Sequence, residues 1–156
     1  MVLKHTSRIS KDQMWLQVAH TIAKRGTCAR RQVGCVFVDT YGRVMSTGYN
    51  GVASGEPHCI DSPCSGAHAP SGTALNDCQS IHAEENALEQ CKDTKQLHTI
   101  YCTAAPCFDR CLRKLLNTSA KRIVFSEDYP GSEKSKERWE ASGREWVKLD
   151  LEADLL

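Results

Sequence analysis

One histidine, one glutamate and two cysteines, divided between two short segments, constrain the fold of this chain more than any other feature. His82 and Glu84 stand two residues apart, and Cys107 and Cys111 follow Pro106. An imidazole and two thiolates are common zinc ligands, and three protein ligands leave a fourth tetrahedral position for water. The fold must therefore bring the two segments together around one ion. Bound zinc lowers the pKa of its water to about 7, which provides hydroxide at neutral pH.

Glu84 distinguishes a zinc site that does chemistry from one that only supports the fold. A carboxylate beside the ion can take the proton of the water and pass it to a ring nitrogen and then to leaving ammonia. A lone His-x-Glu pair is usually a helix cap and a surface residue, but with a following Pro-Cys and second Cys it is the pattern of zinc-dependent nucleobase deaminases. We therefore predict a catalytic zinc held by His82, Cys107 and Cys111. Glu84 is the predicted proton shuttle.

Hydrophobic periodicity predicts strands that alternate with helices along most of the chain. Helices are expected at about 10–23, 83–91, 107–116 and 131–142, and strands at about 33–39, 44–49, 99–103, 122–125 and 146–149. Such alternation is typical of an α/β sheet whose strands are joined by crossover helices. Because 156 residues are enough for one hydrophobic core, we predict a single domain over residues 1–156.

Residues 51–80 show no periodicity and are rich in glycine, proline and cysteine. An irregular loop of about thirty residues normally has an anchor of its own. The chain has nine cysteines, and clustered cysteines without a secretory context indicate metal ligands before disulfides. We predict that a structural zinc site pins this insertion, with the ligands Cys28, Cys59, Cys64 and Cys78. Free buried cysteines are the alternative, and His58 and His68 are further candidate ligands.

Charge and hydropathy exclude several classes of function. The formal net charge of +1 gives no electrostatic footprint for duplex nucleic acid. The chain has no apolar run long enough to span a bilayer, and the segment Met1–His5 lacks the apolar region of a signal peptide. We therefore expect a cytoplasmic protein with a small-molecule partner and no contact with membrane.

Four stretches carry a family resemblance. They are Cys28–Gly34, Gly48–Gly51, His82–Ala87 and Thr103–Cys107. Together they resemble the deoxycytidylate deaminase family of bacteria and phages, within the cytidine deaminase superfamily, and the resemblance covers roughly residues 10–150. It implies a three-layer α/β/α fold around a five-stranded mixed sheet. It also implies hydrolysis of dCMP to dUMP and ammonia, with attack on ring carbon C4, which supplies dUMP for thymidylate synthesis.

The same resemblance implies residues for substrate binding and regulation. The predicted substrate residues are Asn50, Asn86, Tyr129, Ala83 and Arg31, of which the resemblance implies Asn50 and Tyr129. Arg31 is a candidate for the 5′-phosphate, as are Arg30 and Lys114, although an exposed arginine is more often a plain surface residue. A regulatory nucleotide site is implied at Gly48, Tyr49, Asn50 and Gly51. Family members are often hexamers that dCTP activates with Mg²⁺ and that dTTP inhibits.

The chain departs from the family in the spacing of its two cysteine ligands. The family has Cys-x-x-Cys, whereas three residues separate Cys107 from Cys111 here. Residues i and i+4 share a helix face as i and i+3 do. We therefore predict that both thiolates still reach one ion, with a bulge in the first helical turn.

Two other functions compete with a dCMP deaminase. A tRNA adenosine deaminase or another base editor shares the zinc motif, but it needs a basic surface for RNA, which the net charge of +1 does not provide. A catalytically silent zinc-binding protein is the alternative from another class. It has no need of Glu84, although the wider Cys107–Cys111 spacing favours it.

Overall fold

A five-stranded mixed sheet forms the centre of the protein. The computed structural model describes residues 7–70, 73 and 79–151. The strands are β1 (Gly34–Asp39), β2 (Val44–Tyr49), β3 (Leu97–Ala104), β4 (Arg122–Glu127) and β5 (Glu145–Lys148), in the order β2-β1-β3-β4-β5. β1 is antiparallel to β2 and β3, whereas β3, β4 and β5 are parallel. The predicted sheet is therefore confirmed.

Helices cover both faces of this sheet. They are α1 (Lys11–Ala23), α2 (Ala83–Gln90), α3 (Arg113–Leu116) and α4 (Ser132–Ala141), and a π-helical turn (Phe108–Leu112) precedes α3. The face under α1 buries Leu16, Ala19, Val36, Val38, Tyr101 and Val124. The opposite face buries Phe37, Ile100, Leu112, Leu115, Ile123, Phe125 and Trp139. Successive residues of a strand point to opposite faces of the sheet, so both faces are covered by apolar side chains. The result is the predicted three-layer α/β/α arrangement.

Two glycines let two helices lie directly on the sheet. A Cβ atom at Gly34 would lie 2.1 Å from the carbonyl oxygen of Ala19 in α1. A Cβ atom at Gly48 would lie 2.2 Å from the carbonyl oxygen of Ala83, the first residue of α2. Such contacts exclude any side chain at the two positions. Gly48, implied as a regulatory residue, therefore has a packing role at the start of the helix that follows the predicted zinc ligand.

The irregular insertion is anchored by hydrogen bonds. Gly51 and Ile81 exchange two backbone hydrogen bonds of 3.1 and 2.7 Å, which close the two ends of the segment on each other. The guanidinium of Arg30 donates to the carbonyl oxygens of Gly66 at 3.0 Å and Pro70 at 2.8 Å. Arg30 thus holds the loop, a role that differs from the predicted binding of a phosphate. Across the ranges that the structure describes, no helix is both long and apolar enough for a transmembrane span.

A bidentate ion pair joins α1 to β4. Arg122 donates to the two carboxylate oxygens of Asp12 at 3.0 and 2.8 Å, and the Tyr101 hydroxyl donates to the same carboxylate at 2.7 Å. The Asp12 and Arg122 side chains are only 28% and 23% exposed, so solvent screens the pair weakly. The hydrogen bonds from Arg122 hold the pKa of Asp12 below its ordinary value.

We expect Asp12→Asn to lower the free energy of unfolding at pH 7 by about 2 kcal/mol, because the charge-assisted bonds are lost. The pKa of Asp12 is lowered in the folded state, so this stabilisation is complete above about pH 4 and disappears as the pH falls through the lowered value. Urea unfolding of both proteins over a pH series measures the difference. Glu137→Gln, on the exposed side of α4, is the control. A difference that stays constant below pH 4 would contradict the assignment.

Candidate active site and metal centre

His82, Cys107 and Cys111 meet in space although two segments carry them. His82 is the N-cap residue of α2, and Cys107 caps the π-turn that contains Cys111. His82 Nδ1 lies 3.2 Å from Cys111 Sγ and 3.5 Å from Cys107 Sγ. Within the described ranges, this is the one set of three His, Cys, Asp or Glu ligand atoms that all lie within 4.8 Å of one another. The residues predicted as zinc ligands thus form one cluster.

The cluster fits a zinc ion in chemistry and in spacing. Nitrogen and sulfur ligands of tetrahedral zinc stand about 3.6 Å apart, which is close to the two distances observed. Hydrogen bonds from Cys111 and His82 lower the pKa of Cys107 to about 4, so this residue is a thiolate. The pKa of Cys111 is raised by its interaction with Cys107 and by burial. A bound metal would displace the proton of this thiol.

The π-turn accommodates the extra residue between the two cysteines. The backbone N–H of Leu112 donates to the carbonyl oxygen of Cys107 at 3.0 Å, a bond from residue i+5 to residue i. A π-turn holds one more residue than an α-turn, so the following helix keeps its direction. The helix predicted over 107–116 therefore begins as a π-turn and becomes α-helical only at Arg113. Both sulfur atoms still face His82.

Glu84 lies against the cluster and is almost fully buried. Glu84 is only 4% exposed, and its Oε2 accepts a hydrogen bond from Cys111 Sγ at 3.1 Å. Burial raises the pKa of Glu84 above its ordinary value. A carboxyl group with a raised pKa both accepts and releases a proton more readily near neutral pH. The predicted proton shuttle thus stands beside the predicted metal ligands.

Most of the residues predicted to bind substrate lie in one connected series of contacts. Asn86 Nδ2 donates to the carbonyl oxygen of Tyr49 at 2.8 Å. The next residue, Asn50, donates through Nδ2 to the carbonyl oxygen of Arg31 at 2.7 Å. The guanidinium carbon of Arg31 lies 5.1 Å from the centre of the Tyr129 ring. The series begins two residues after Glu84 and ends at Tyr129, beyond β4.

Two of these residues have roles in the fold itself. The Asn50 side chain is buried, and its Oδ1 accepts the backbone N–H of Val33 at 2.8 Å, so both ends of the amide hold the loop before β1. Ala83 is buried at the start of α2, where Gly48 contacts it. Substrate binding by these two residues stays a prediction.

Glu85 is a residue of the site that the sequence analysis did not identify. Its carboxylate accepts the backbone N–H of His82 at 3.1 Å and the side chains of Arg110 and Lys114. Lys114 is therefore paired with Glu85, a different role from the predicted binding of a phosphate. A glutamate three residues after a helix N-cap is a recognisable capping signal, but nothing local indicates its two basic partners.

A second group of cysteines lies between the insertion and the loop before β1. The sulfur atoms of Cys59 and Cys64 are 3.7 Å apart. Cys28 and Cys59 are both buried, and Cys28 helps to lower the pKa of Cys59. The backbone N–H groups of Ala29 and Cys64 also donate to the Cys59 sulfur, and the pKa of Cys59 is lowered although its burial alone would raise it. Cys78, the fourth predicted ligand, lies outside the described residues.

Comparison with known proteins identifies the region that contains the cluster of His82, Cys107 and Cys111. The cytidine and deoxycytidylate deaminase zinc-binding region matches residues 9–127. The deoxycytidylate deaminase of Mycobacterium phage D29 is 33% identical over 129 residues, which cover 78% of this chain and 98% of the phage protein. That of Saccharomyces cerevisiae is 35% identical over 130 residues, which cover 82% of this chain and 41% of the yeast protein. The chain thus spans less than half the length of the yeast relative.

A solved structure shares the fold. The dCMP deaminase of cyanophage S-TIM5, in complex with dCMP and dUMP, superposes with a TM-score of 0.70 at 20% sequence identity. The superposition covers 92% of this chain and 99% of the phage chain. The sequence match and the His, Cys and Cys donor set together identify zinc as the metal of the cluster.

Proposed function

Because the chain belongs to the cytidine and deoxycytidylate deaminase family, we propose that it is a zinc-dependent hydrolase that converts dCMP to dUMP and ammonia. The observation that carries this proposal is the buried Glu84 carboxylate, 3.1 Å from a sulfur atom of a three-ligand cluster. A structural zinc site has four protein ligands and no use for an acid–base group. The arrangement therefore favours a catalytic zinc site over the site of a catalytically silent zinc-binding protein. The choice of dCMP rests on the relatives.

The residues of this chain divide the work of the reaction. His82, Cys107 and Cys111 would hold the zinc ion, which supplies Lewis acidity toward a water molecule when it is bound. Glu84 takes a proton from the attacking water and delivers it to ring nitrogen N3 of the cytosine. It then carries the second proton to the C4 amino group, which leaves as ammonia. The burial of Glu84 keeps bulk water from competing for these protons.

Ammonia release from a panel of substrates tests the proposal. The panel is dCMP, dCTP, cytidine, deoxycytidine and a transfer RNA, each incubated with the zinc-loaded protein. We expect the highest kcat/KM with dCMP, because the yeast and phage relatives are deoxycytidylate deaminases. Activity on the transfer RNA alone would replace the proposal with a base-editing function. Repeating the assay with dCTP and Mg²⁺, and with dTTP, tests the regulation implied by the family.

We also propose that a second zinc ion stabilises the Cys-rich insertion at residues 51–80. The protein as a whole is proposed to be a single domain. The support for the second zinc ion is the 3.7 Å separation of the Cys59 and Cys64 sulfur atoms and the interaction of Cys59 with Cys28, although the three sulfur atoms do not all lie within 4.8 Å of one another. Sulfur ligands of one tetrahedral zinc ion are about 3.8 Å apart. The predicted fourth ligand, Cys78, would complete a set of four thiolates, which would leave no position open for substrate. Assembly into a hexamer stays a prediction and calls for a measurement of mass in solution.

We expect metal analysis of the purified protein to give about two zinc ions per chain and Cys59→Ser to leave about one. The variant should also make residues 51–80 more sensitive to protease, because the pin is lost. Cys91→Ser, which changes a partly buried cysteine of the core, is the control and should retain both ions. One zinc ion in the unmodified protein, with Cys59→Ser unchanged, would remove the structural site from the proposal.

A further inference from the structure

Glu85 links the two segments that carry the zinc ligands, and the deamination reaction does not use it. Its Oε1 accepts the backbone N–H of His82 and Nη2 of Arg110, and its Oε2 accepts Nζ of Lys114. Arg110 is the residue before Cys111, and Lys114 is three residues after it. One carboxylate thus contacts the backbone of the nitrogen ligand and side chains on both sides of a sulfur ligand.

The burial of this carboxylate separates it from an ordinary surface ion pair. The Glu85 side chain is 12% exposed, whereas those of Arg110 and Lys114 are 41% and 51% exposed. Exposed pairs contribute little because water screens them and their side chains lose freedom. A shielded carboxylate with three donors has a defined position, since each donor restricts it from a different direction. The contact therefore fixes the separation between the start of α2 and the segment that carries Cys111.

The π-turn is what brings Arg110 to this position. Three residues separate Cys107 from Cys111, and Arg110 is the third of them. The hydrogen bond from Leu112 to Cys107 closes the widened turn and leaves the Arg110 side chain directed at Glu85. The wider cysteine spacing, which departs from the family pattern, therefore places Arg110 in contact with Glu85.

We propose that Glu85, Arg110 and Lys114 form a positioning clamp that holds His82 at the correct distance from the two cysteines for zinc binding. The inference rests on the proposed zinc site, and it assigns no contact with substrate to the three residues. A carboxylate that orients metal ligands in this way typically changes metal affinity by about 10–100-fold when it is removed. The clamp accounts for two basic residues and one acidic residue that the reaction leaves without a role.

The test compares zinc affinity among variants in which neutral glutamine replaces each charged side chain. Glu85→Gln retains an oxygen for the His82 N–H but loses the charge, and Arg110→Gln with Lys114→Gln removes the partners. We expect each of these changes to weaken zinc binding, measured by competition with a chelator, by about tenfold or more. All three substitutions together should lose little more than either set alone, because they remove the same contact. The visible absorption bands of the cobalt-substituted protein should shift, and kcat for dCMP should fall while KM stays unchanged.

Two matched controls separate the clamp from a loss of helix stability or of charge. Glu89→Gln changes an exposed glutamate one turn further along α2, and Arg113→Gln changes an exposed arginine between the clamp residues. If the clamp variants lose thermal stability but match these controls in zinc affinity and in cobalt spectrum, the clamp is wrong. A protein that binds zinc yet deaminates no cytosine nucleotide would contradict the proposed function alone, because affinity and spectrum still decide the clamp. Failure of the unmodified protein to bind zinc at His82 would overturn both.

Discussion

Replacement of Glu84 by glutamine should abolish ammonia release from dCMP while the zinc ion stays bound. Glutamine has the size of glutamate and still accepts the hydrogen bond that Cys111 donates, but it cannot take up and deliver a proton. Positioned acid–base groups contribute about 10²–10⁴-fold to rates, so we expect a loss in that range or greater. The measurement is dUMP formation at saturating dCMP, with zinc content determined on the same preparation.

The control for this prediction is Glu89→Gln, which changes an exposed glutamate of the same helix and should leave activity unchanged. Zinc retained without activity in Glu84→Gln would establish proton transfer as the role of the carboxylate. Full activity would refute the mechanism. Loss of both zinc and activity would instead make Glu84 a part of the metal site.

Gly48→Ala should be among the most damaging single-methyl additions in the protein. The new Cβ atom would lie 2.2 Å from the carbonyl oxygen of Ala83 and 2.6 Å from the backbone nitrogen of Ala87. These are backbone atoms of α2, so no side-chain rotation relieves the overlap and the helix must move away from β2. Overpacking of this kind costs about 3 kcal/mol in the free energy of unfolding. Because the helix begins next to His82, zinc affinity should also fall by about tenfold or more.

Gly34→Ala is the matched control, since it places a methyl group 2.1 Å from Ala19 of α1, a helix that carries no metal ligand. The two variants should lose similar amounts of stability in urea unfolding of the zinc-free protein. Only Gly48→Ala should lose zinc affinity when the folded proteins are titrated with metal. Equal losses of zinc affinity would show that the metal site responds to general destabilisation and not to the position of α2.

Arg30 and Lys114 show that the partners of basic side chains depend on the fold. Both were candidates for a substrate phosphate because of their charge. In the structure, Arg30 bonds to Gly66, 36 residues away, and Lys114 pairs with Glu85, 29 residues away. Long basic side chains take whatever acceptor the packed chain brings within reach. Their partners therefore cannot be read from the residues beside them.

The sheet and helices, by contrast, follow from local patterns. Val36 and Val38 alternate with Cys35 and Phe37 along β1, and the two pairs lie in the cores on opposite sides of the sheet. A period of two depends only on the geometry of a strand, so the pattern of residues predicts it. The sequence predicts the π-turn only as an unspecified bulge, because hydrophobic periodicity does not register a single extra residue.

The chemistry of the site follows from residue types, because zinc binding and proton transfer each require particular atoms. An imidazole, two thiols and a carboxyl group at these spacings were enough to predict the cluster of His82, Cys107 and Cys111 beside Glu84. The geometry of that cluster depends on the packing of segments about 25 residues apart in the chain. The π-turn, the contact of Gly48 with α2 and the clamp around Glu85 set that geometry. The contact of Gly48 and the clamp around Glu85 join segments that are distant in sequence, so they form only once the chain has folded.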